Sequence, residues 1–405
     1  MRKFLVYQIT SRRNYDVASI INNNNQLSKL VTDFYNLPDT FFNKFMSRVN
    51  PKFNTSFSKY SNNSIPDKLV KRNLFAGLIY RIFLKYFNKN KHHLGIRISS
   101  KILYFSVKNI QNYDAIYGYD TCSLEIFKRN FNHKFLVLEQ CVAPRNSQVE
   151  MYEILQKKYQ VNFGDHILNC KKFKLVEEKE WEFANKIICP SSYVKQELIK
   201  QGLNPSKIEV IPYGFTNSVE KQKINYKIEN CTQRNNLNVL FVGNEALRKG
   251  VLDIIEVANK LILNTEISFH IVGKIKEELH EFNISVFPDN VKFHGKLSKN
   301  QLEVLYLQSD LFFLPSYLEG SALVIYEALS FGIPTLTTYE SGSVVDNNVD
   351  GFIVKVGDVK NMVNKINELF YNRELLKKMS FAALEKSVLH TINEYNLRLI
   401  NSVNK

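Results

Sequence analysis

The sequence predicts an α/β protein in which two doubly wound domains face each other across a cleft. Short apolar runs of strand length alternate with helical stretches over residues 1–215, and the same alternation starts again at residue 237. The polar stretch 216–236 between them has no clear period and predicts a linker. The length of 405 residues is enough for two or three domains, each with its own buried core.

The first domain begins with a predicted strand at 3–9, a short loop, and a helix near 17–34. No glycine-rich phosphate loop follows this strand, so the start of the chain is not a dinucleotide fingerprint. Residues 36–66 predict an irregular segment, and a last helix near 387–405 is expected to pack back on this domain. Further buried strands are predicted at 113–119, 134–138, 186–190 and 207–212.

The net charge of +15 arises within the first 110 residues, which hold 19 Lys and Arg against 4 Asp and Glu. Such an excess attracts an anionic membrane surface or nucleic acid. Because no nucleic-acid motif is present, a nucleic-acid partner is not expected. Residues 67–91 predict a basic, aromatic-rich helix with Asp67 as its N-cap. This helix could lie on a membrane or pack in the core with its basic side chains reaching solvent.

The five cysteines are scattered and form no CxxC pair, so neither a zinc site nor a disulfide framework is predicted. The first apolar run is too short for a signal peptide, and no stretch of about 18 apolar residues predicts a spanning helix. We therefore expect a cytoplasmic protein, with peripheral contact to the inner face of the cell membrane through residues 1–110.

The second domain repeats the strand–helix alternation. Its strands are predicted at 237–242, 267–272, 291–294, 310–314, 334–338 and 351–354. Its helices are predicted near 250–263, 299–308, 321–331, 358–371 and 373–386. Ligands bind such sheets beyond the carboxyl ends of their strands.

Residues 310–336 predict a strand, an acidic turn and a helix, with Glu319 in the turn and Glu327 about two turns into the helix. The helix start leaves free N–H groups that suit phosphate or sugar hydroxyls. These would be the N–H groups of Gly320, Ser321, Ala322 and Leu323. Each carboxylate can accept hydrogen bonds from two neighbouring hydroxyls. A nucleoside diphosphate sugar offers both kinds of group, although the spacing alone also fits two solvated surface glutamates.

The strand at 237–242 ends at Gly243, and Arg248 and Lys249 follow just before the next helix. Two cations at this place can neutralise a diphosphate and stabilise charge that develops on a leaving group. The order of residues is not that of a P-loop. On its own, the pair also fits a solvated basic loop.

Together these segments resemble glycosyltransferases of family 4, which have two Rossmann-like domains in the GT-B arrangement. The resemblance rests on VGNEALRKG (242–250) and the segments 189–214, 294–316, 319–334 and 350–354. It covers residues 180–375 well and the earlier part of the chain thinly.

The resemblance implies a role for each matching residue. Arg248 and Lys249 match the diphosphate-binding pair, and Glu319 matches the glutamate that contacts the transferred sugar and takes part in catalysis. Gly320, Ser321 and Ala322 match the loop whose N–H groups meet sugar and phosphate, and Glu327 matches the ribose-binding glutamate. The places that usually hold the base match the loop at Gly273 and the segment Gly295, Lys296 and Leu297.

The first domain departs from the family pattern. Many members carry a histidine after a strand near the anomeric carbon, whereas the matching stretch 137–145 has none. Glu139, Gln140, Cys141 or Arg145 could face the cleft instead, with Glu139, Gln140 and Arg145 as the acceptor-side candidates.

The resemblance implies a retaining enzyme that needs no metal and no cofactor. It would move a hexose from a UDP- or GDP-sugar to a glycan or lipid-linked acceptor in surface polysaccharide or lipopolysaccharide synthesis. Three alternatives stay open: an inactive nucleotide-sugar-binding scaffold subunit, a basic nucleic-acid-binding protein, and a nucleotide-sugar epimerase or phosphorylase.

Overall fold

Two parallel sheets form the framework of the molecule. The computed structural model describes residues 1–37, 60–107, 110–281 and 285–405. Within these residues, one sheet has seven strands and the other has six, and every strand pairs in parallel with its neighbours. Helices lie between most consecutive strands, as is usual for parallel pairing. The predicted fold class is confirmed.

The first sheet has the strand order β3-β2-β1-β4-β5-β6-β7. Its strands are β1 (Phe4–Gln8), β2 (Leu27–Thr32), β3 (Val70–Arg72), β4 (Ala115–Tyr119), β5 (Phe135–Glu139), β6 (Lys186–Cys189) and β7 (Ile208–Val210). The helices of this part are α1 (Asp16–Asn23), α2 (Leu74–Tyr86), α3 (His92–Phe105), α4 (Leu124–Asn130), α5 (Arg145–Tyr159), α6 (Gly164–Phe183) and α7 (Ser192–Lys200).

Two predictions for this part were wrong. The helix predicted near 17–34 ends at Asn23, and β2 follows it from Leu27 to Thr32. The chain turns between them at Asn25, which has a left-handed backbone (φ 55°). Asp67 does not cap a helix but begins a single 3₁₀ turn, and α2 starts later, where the Asn73 side chain accepts from the Ala76 N–H at 3.2 Å. Within the segment predicted to be irregular, residues 38–59 lie outside the described residues.

The second sheet has the order β10-β9-β8-β11-β12-β13. Its strands are β8 (Leu237–Val242), β9 (Ile267–Val272), β10 (Val291–Gly295), β11 (Leu311–Leu314), β12 (Thr335–Thr338) and β13 (Gly351–Val354). The helices from the linker onward are α8 (Lys221–Glu229), α9 (Val251–Lys260), α10 (Ile275–Glu281), α11 (Lys299–Gln308), α12 (Leu323–Ser330), α13 (Val359–Tyr371), α14 (Arg373–Val388) and α15 (Ile392–Asn404). Helix α10 was not predicted.

The stretch predicted to be a linker contains α8. Ile224 and Ile228 lie four residues apart, on one face of this helix, and both are buried. The Lys227 ammonium on the same helix donates to the Phe331 carbonyl at 3.2 Å. The connection between the sheets therefore packs against the second domain and is hydrogen-bonded to it.

The last helix, α15, lies against the first domain. Tyr395, Leu399 and Val403 belong to the apolar core around the first sheet. The Gln26 side-chain amide donates to the Asn404 side chain at 2.6 Å. The chain therefore crosses from the second domain back to the first.

Among the helices within the described residues, none has both the length and the apolar character needed to cross a bilayer.

Candidate active site

The carboxyl ends of the two sheets face one cavity of about 480 Å³. From the first domain it is lined by Arg12, Arg13, Tyr119, Cys141 and Tyr213. From the second domain it is lined by Lys249, Glu319, Ser321, Ala322, Leu323 and Val324. These residues follow or end the strands β1, β4, β5, β7, β8 and β11, which is the edge where sheets of this kind bind ligands.

The Lys249 ammonium lies directly against the Glu319 carboxylate. Its Nζ donates to Glu319 Oε1 at 2.5 Å, and both side chains are largely buried. The loop before α9 holds Lys249 in place because Gly250 has a left-handed backbone (φ 72°), and a Cβ there would lie 2.2 Å from the Pro315 carbonyl oxygen. The predicted lysine and glutamate are therefore brought together by loops that follow two adjacent strands.

Arg248 reaches the same carboxylate from another side. Its Nη1 lies 2.9 Å from Glu319 Oε2 and donates to the Leu318 carbonyl at 2.6 Å, while its Nε donates to Glu245 at 2.6 Å. Burial alone would raise the pKa of Glu319, but the charges of Arg248 and Lys249 outweigh it, and the pKa lies below its usual value. Glu319 is therefore an anion at neutral pH.

The chain segment before α12 differs in one detail from the prediction. The helix begins at Leu323, and the Ala322 N–H is not free, because it donates to the Ser341 carbonyl at 3.2 Å. No acceptor among the described residues is found for the N–H groups of Gly320 and Ser321. The Ser321 hydroxyl lies 2.8 Å from the Tyr326 hydroxyl. The donors available to a ligand are thus fewer than the sequence suggested.

Glu327 does not line the cavity that holds Glu319. Its carboxylate accepts from the Tyr306 hydroxyl at 3.0 Å, and burial raises its pKa despite that hydrogen bond. Arg248 lines a smaller neighbouring cavity of about 220 Å³. The structure therefore joins Arg248, Lys249 and Glu319 through direct contacts and leaves Glu327 outside this group.

The glycines predicted near the base lie at the carboxyl edge of β8, β9 and β10. Gly273 (φ 127°) leaves no space for a side chain, because a Cβ would lie 1.7 Å from the Gly243 carbonyl oxygen. Its N–H donates to the Gly295 carbonyl at 2.8 Å. Lys296 is exposed and Leu297 is half-buried. These residues adjoin one another but do not line the 480 Å³ cavity.

Two of the acceptor-side candidates do not face the cavity. Glu139 and Gln140 are 2% and 0% exposed. Glu139 accepts from the Tyr117 hydroxyl at 2.7 Å, and the Gln140 amide donates to Glu177 at 2.7 Å, so their polar groups are satisfied inside the domain. The structure therefore does not place these two side chains at the cavity.

Arg145 also belongs to a network inside the first domain. It lies 3.2 Å from Asp120 and does not line the cavity. Of the four residues considered there, Cys141 alone lines the cavity, and burial raises the pKa of its thiol. An unactivated thiol of this kind is not a nucleophile at neutral pH.

Sequence reasoning missed the loop after β1. Arg12 donates to Asp120 at 2.9 Å and lies 3.3 Å from the Cys141 sulfur, while Arg13 packs on the Tyr213 ring at 4.1 Å. The sequence does contain a signal for this loop, since an Arg-Arg pair lies in the loop after the first predicted strand.

A second set of contacts joins the two domains beside the cavity. The Lys158 ammonium at the end of α5 donates to Asp253 on α9 and to the Tyr317 hydroxyl, both at 2.6 Å. The Ser191 hydroxyl donates to the Gly320 carbonyl at 2.6 Å. These bonds fix the distance between the domains next to the turn that carries Glu319.

Comparison with known proteins extends this description. The family model for glycosyl transferases group 1 matches residues 223–386. An uncharacterized 41.2 kDa protein in the cps region of Klebsiella pneumoniae is 24% identical over 261 residues, which are 60% of this chain and 71% of that protein. The Escherichia coli UDP-Gal:alpha-D-GlcNAc-diphosphoundecaprenol alpha-1,3-galactosyltransferase is 30% identical over 208 residues, 48% of this chain and 53% of that enzyme.

The whole chain also shares its fold with solved structures. A crystal structure of Anabaena HepE in complex with UDP-glucose superposes over 100% of both chains, with a TM-score of 0.61 and 16% identity. The family match over residues 223–386 and the named enzyme support a glycosyltransferase, and the whole chain has the GT-B fold.

Proposed function

We propose that this glycosyltransferase moves a hexose from a UDP- or GDP-sugar to a glycan or lipid-linked acceptor, with retention and without a metal ion. Its setting would be cytoplasmic, in the synthesis of a surface polysaccharide or lipopolysaccharide. In this proposal residues 1–215 take the acceptor, residues 237–386 take the donor, and 216–236 link them. One relative acts, by its name, on a diphosphate-linked lipid acceptor, which supports this class of acceptor.

The observation that carries the proposal is the contact of Arg248 and Lys249 with Glu319 at the cleft. Two cations suit a diphosphate, and a carboxylate of lowered pKa suits the hydroxyls of the attached sugar. Groups of both kinds meet in one place, beside the start of α12. A surface loop with solvated charges would not bury these side chains.

The proposed reaction is a direct transfer on one face of the sugar. The bond from the anomeric carbon to the diphosphate oxygen breaks, and the acceptor hydroxyl oxygen bonds to that carbon. The acceptor proton passes to the leaving diphosphate. Arg248 and Lys249 stabilise the charge that develops on the diphosphate. Glu319 holds the sugar, Glu327 accepts from the ribose hydroxyls, and the loops at Gly273 and Gly295 hold the base.

The donor base can be identified by thermal unfolding of the full chain with UDP-, GDP- and ADP-sugars. A ligand that binds only the folded protein at a hundred times its Kd stabilises it by about 2.7 kcal/mol, so one base is expected to raise Tm clearly above the others. Glu327→Gln is expected to reduce this rise, whereas Glu256→Gln, an exposed glutamate on α9, keeps it. Equal Tm values with all three sugars would contradict the proposal.

A sugar-nucleotide-binding scaffold subunit is the second candidate. The observation that favours it is that, among the described residues lining the cavity, none is a histidine. Such a subunit would bind the donor without transfer or hydrolysis. A wild-type chain that gains thermal stability with a donor, yet releases no nucleotide in the presence of cell-envelope glycolipid, would establish this alternative.

An anionic lipid surface is the proposed partner of α2. Phe75, Leu78 and Tyr86 lie on one stripe of this helix and are 59%, 53% and 70% exposed. Lys71 and Lys85 are exposed beside them. Apolar side chains that can enter the headgroup region, flanked by lysines, are typical of helices that lie on a membrane. The exposed stripe favours this interpretation of the helix over a core position.

The chain is therefore expected to sediment with vesicles of phosphatidylglycerol, and to do so less as salt rises, because the lysine contribution is screened. The double variant Phe75→Ser, Leu78→Ser should lose this binding. Leu263→Ser, which removes an exposed leucine from the second domain, is the matched control. Equal sedimentation with phosphatidylcholine and phosphatidylglycerol would contradict the proposed partner.

A further inference from the structure

The three cations that line the 480 Å³ cavity differ in how their charge is compensated. Lys249 pairs with Glu319 at 2.5 Å, and Arg12 pairs with the buried Asp120 at 2.9 Å. For Arg13 the ion pair is to Asp16, which lies 3.7 Å away and has a side chain 46% exposed to solvent. A solvated partner at that distance compensates little charge. The buried Glu139 carboxylate and the Tyr395 hydroxyl also act electrostatically on Arg13, but of the three cations Arg13 has the longest ion pair.

The Arg13 guanidinium is held in a fixed plane. Its carbon lies 4.1 Å from the centre of the Tyr213 ring and 4.3 Å from the centre of the Tyr395 ring. Its Nη1 is buried and has no hydrogen-bond partner within the described part of the chain. A buried donor without a partner is unusual in a folded protein, and an oxygen of a bound ligand or of water would satisfy it.

The backbone around Arg13 is strained in a way that keeps the side chain there. Arg13, Asn14 and Tyr15 all have left-handed conformations, with φ of 46°, 53° and 62°. Tyr15 anchors the turn, since its buried hydroxyl donates to the Phe34 carbonyl at 2.5 Å. Strain that persists in consecutive residues beside a cleft is characteristic of functional sites.

We propose that Arg13 binds an oxyanion, a phosphate or a carboxylate, carried by the acceptor. The inference rests on the proposed function, in which the first domain takes the acceptor. The donor diphosphate has its own cations, Arg248 and Lys249, on the opposite domain. The planar fork of Arg13 suits the two oxygens of a phosphate or carboxylate, and the ring of Tyr119, which also lines the cavity, can contact the sugar that bears it.

The test uses the full chain saturated with UDP and measures Tm as inorganic phosphate is added, against chloride at equal ionic strength. Phosphate is expected to stabilise the wild type beyond the chloride effect. Arg13→Gln should weaken phosphate binding about tenfold or more, because a charge-assisted hydrogen bond is lost, while leaving UDP binding unchanged. Arg13→Lys keeps the charge but not the planar fork, so phosphate should stabilise it less than the wild type. This variant also provides the test if Arg13→Gln fails to fold.

Arg129→Gln is the matched control, because Arg129 stacks over the Tyr104 ring and does not line the cavity. It should behave as the wild type. A wild type that does not respond to phosphate, or an equal response in Arg13→Gln, overturns the inference. A loss of UDP affinity in Arg13→Gln also overturns it, since Arg13 would then serve the donor diphosphate. If the wild type binds no nucleotide at all, the proposed function fails, independently of Arg13.

Discussion

Replacing Lys249 with alanine is expected to lower kcat by about 10²–10³-fold, because one positioned charge that we propose to stabilise the leaving diphosphate is lost. The fold should survive, since Glu319 keeps its contact with Arg248 at 2.9 Å and is not left as an unpaired buried charge. The measurement is nucleotide release in the presence of acceptor glycolipid, with Tm as the test of folding.

The control for this variant is Lys260→Ala, which removes an exposed lysine from the end of α9 and should transfer at the wild-type rate. A Lys249→Ala enzyme that retains the wild-type kcat would remove Lys249 from the catalytic machinery. A collapse of Tm would instead show that the pair with Glu319 is mainly structural.

The variant Gly320→Ala should lose about 10²-fold in kcat while its donor affinity stays close to that of the wild type. A Cβ at residue 320 would lie 1.9 Å from the Cys141 carbonyl oxygen and 3.1 Å from the Val142 Cα, and both are backbone atoms of the other domain. The two domains must therefore move apart, which shifts Arg12 and Arg13 away from Glu319. The residues proposed to bind the donor, Gly320 among them, all lie on one domain, and the substitution keeps the N–H of residue 320, so we expect their arrangement to persist.

Separate measurements of the Kd for the nucleotide and of kcat distinguish this effect from general damage. Gly164→Ala is the control, because a Cβ there meets only the Asn162 side chain, at 3.1 Å, and that side chain can turn away. An unchanged kcat in Gly320→Ala would mean that turnover does not require this close approach of the domains.

The second domain could be predicted well because its signals are local. Apolar runs flanked by turn residues identified all six strands of its sheet, and Lys249 and Glu319 each follow such a run. Gly250 and Pro315 mark the turns that bring the two side chains together. Strand ends in a parallel sheet meet at one edge, so residue order was enough to predict that both side chains lie at this edge, although their direct contact was not predicted.

The first domain was harder to predict because its decisive contacts join residues far apart in the chain. Gln140 is buried because its amide meets Glu177 and the Trp181 ring nitrogen, on a helix that follows later. Nothing in the residues next to Gln140 indicates this. The left-handed backbone at Arg13 is equally hidden, since arginine rarely adopts it and only the surrounding packing enforces it.

The contact of Glu319 with Arg248 and Lys249 affects how the cleft distinguishes the nucleotide sugar from the free nucleotide product. The glutamate contacts both cations that we propose to bind the diphosphate. An incoming nucleotide must compete with it, and the displaced carboxylate needs a new partner. A sugar hydroxyl supplies that partner and a bare nucleotide does not, so we expect the cleft to bind the nucleotide sugar in preference to the nucleotide product through this exchange of partners.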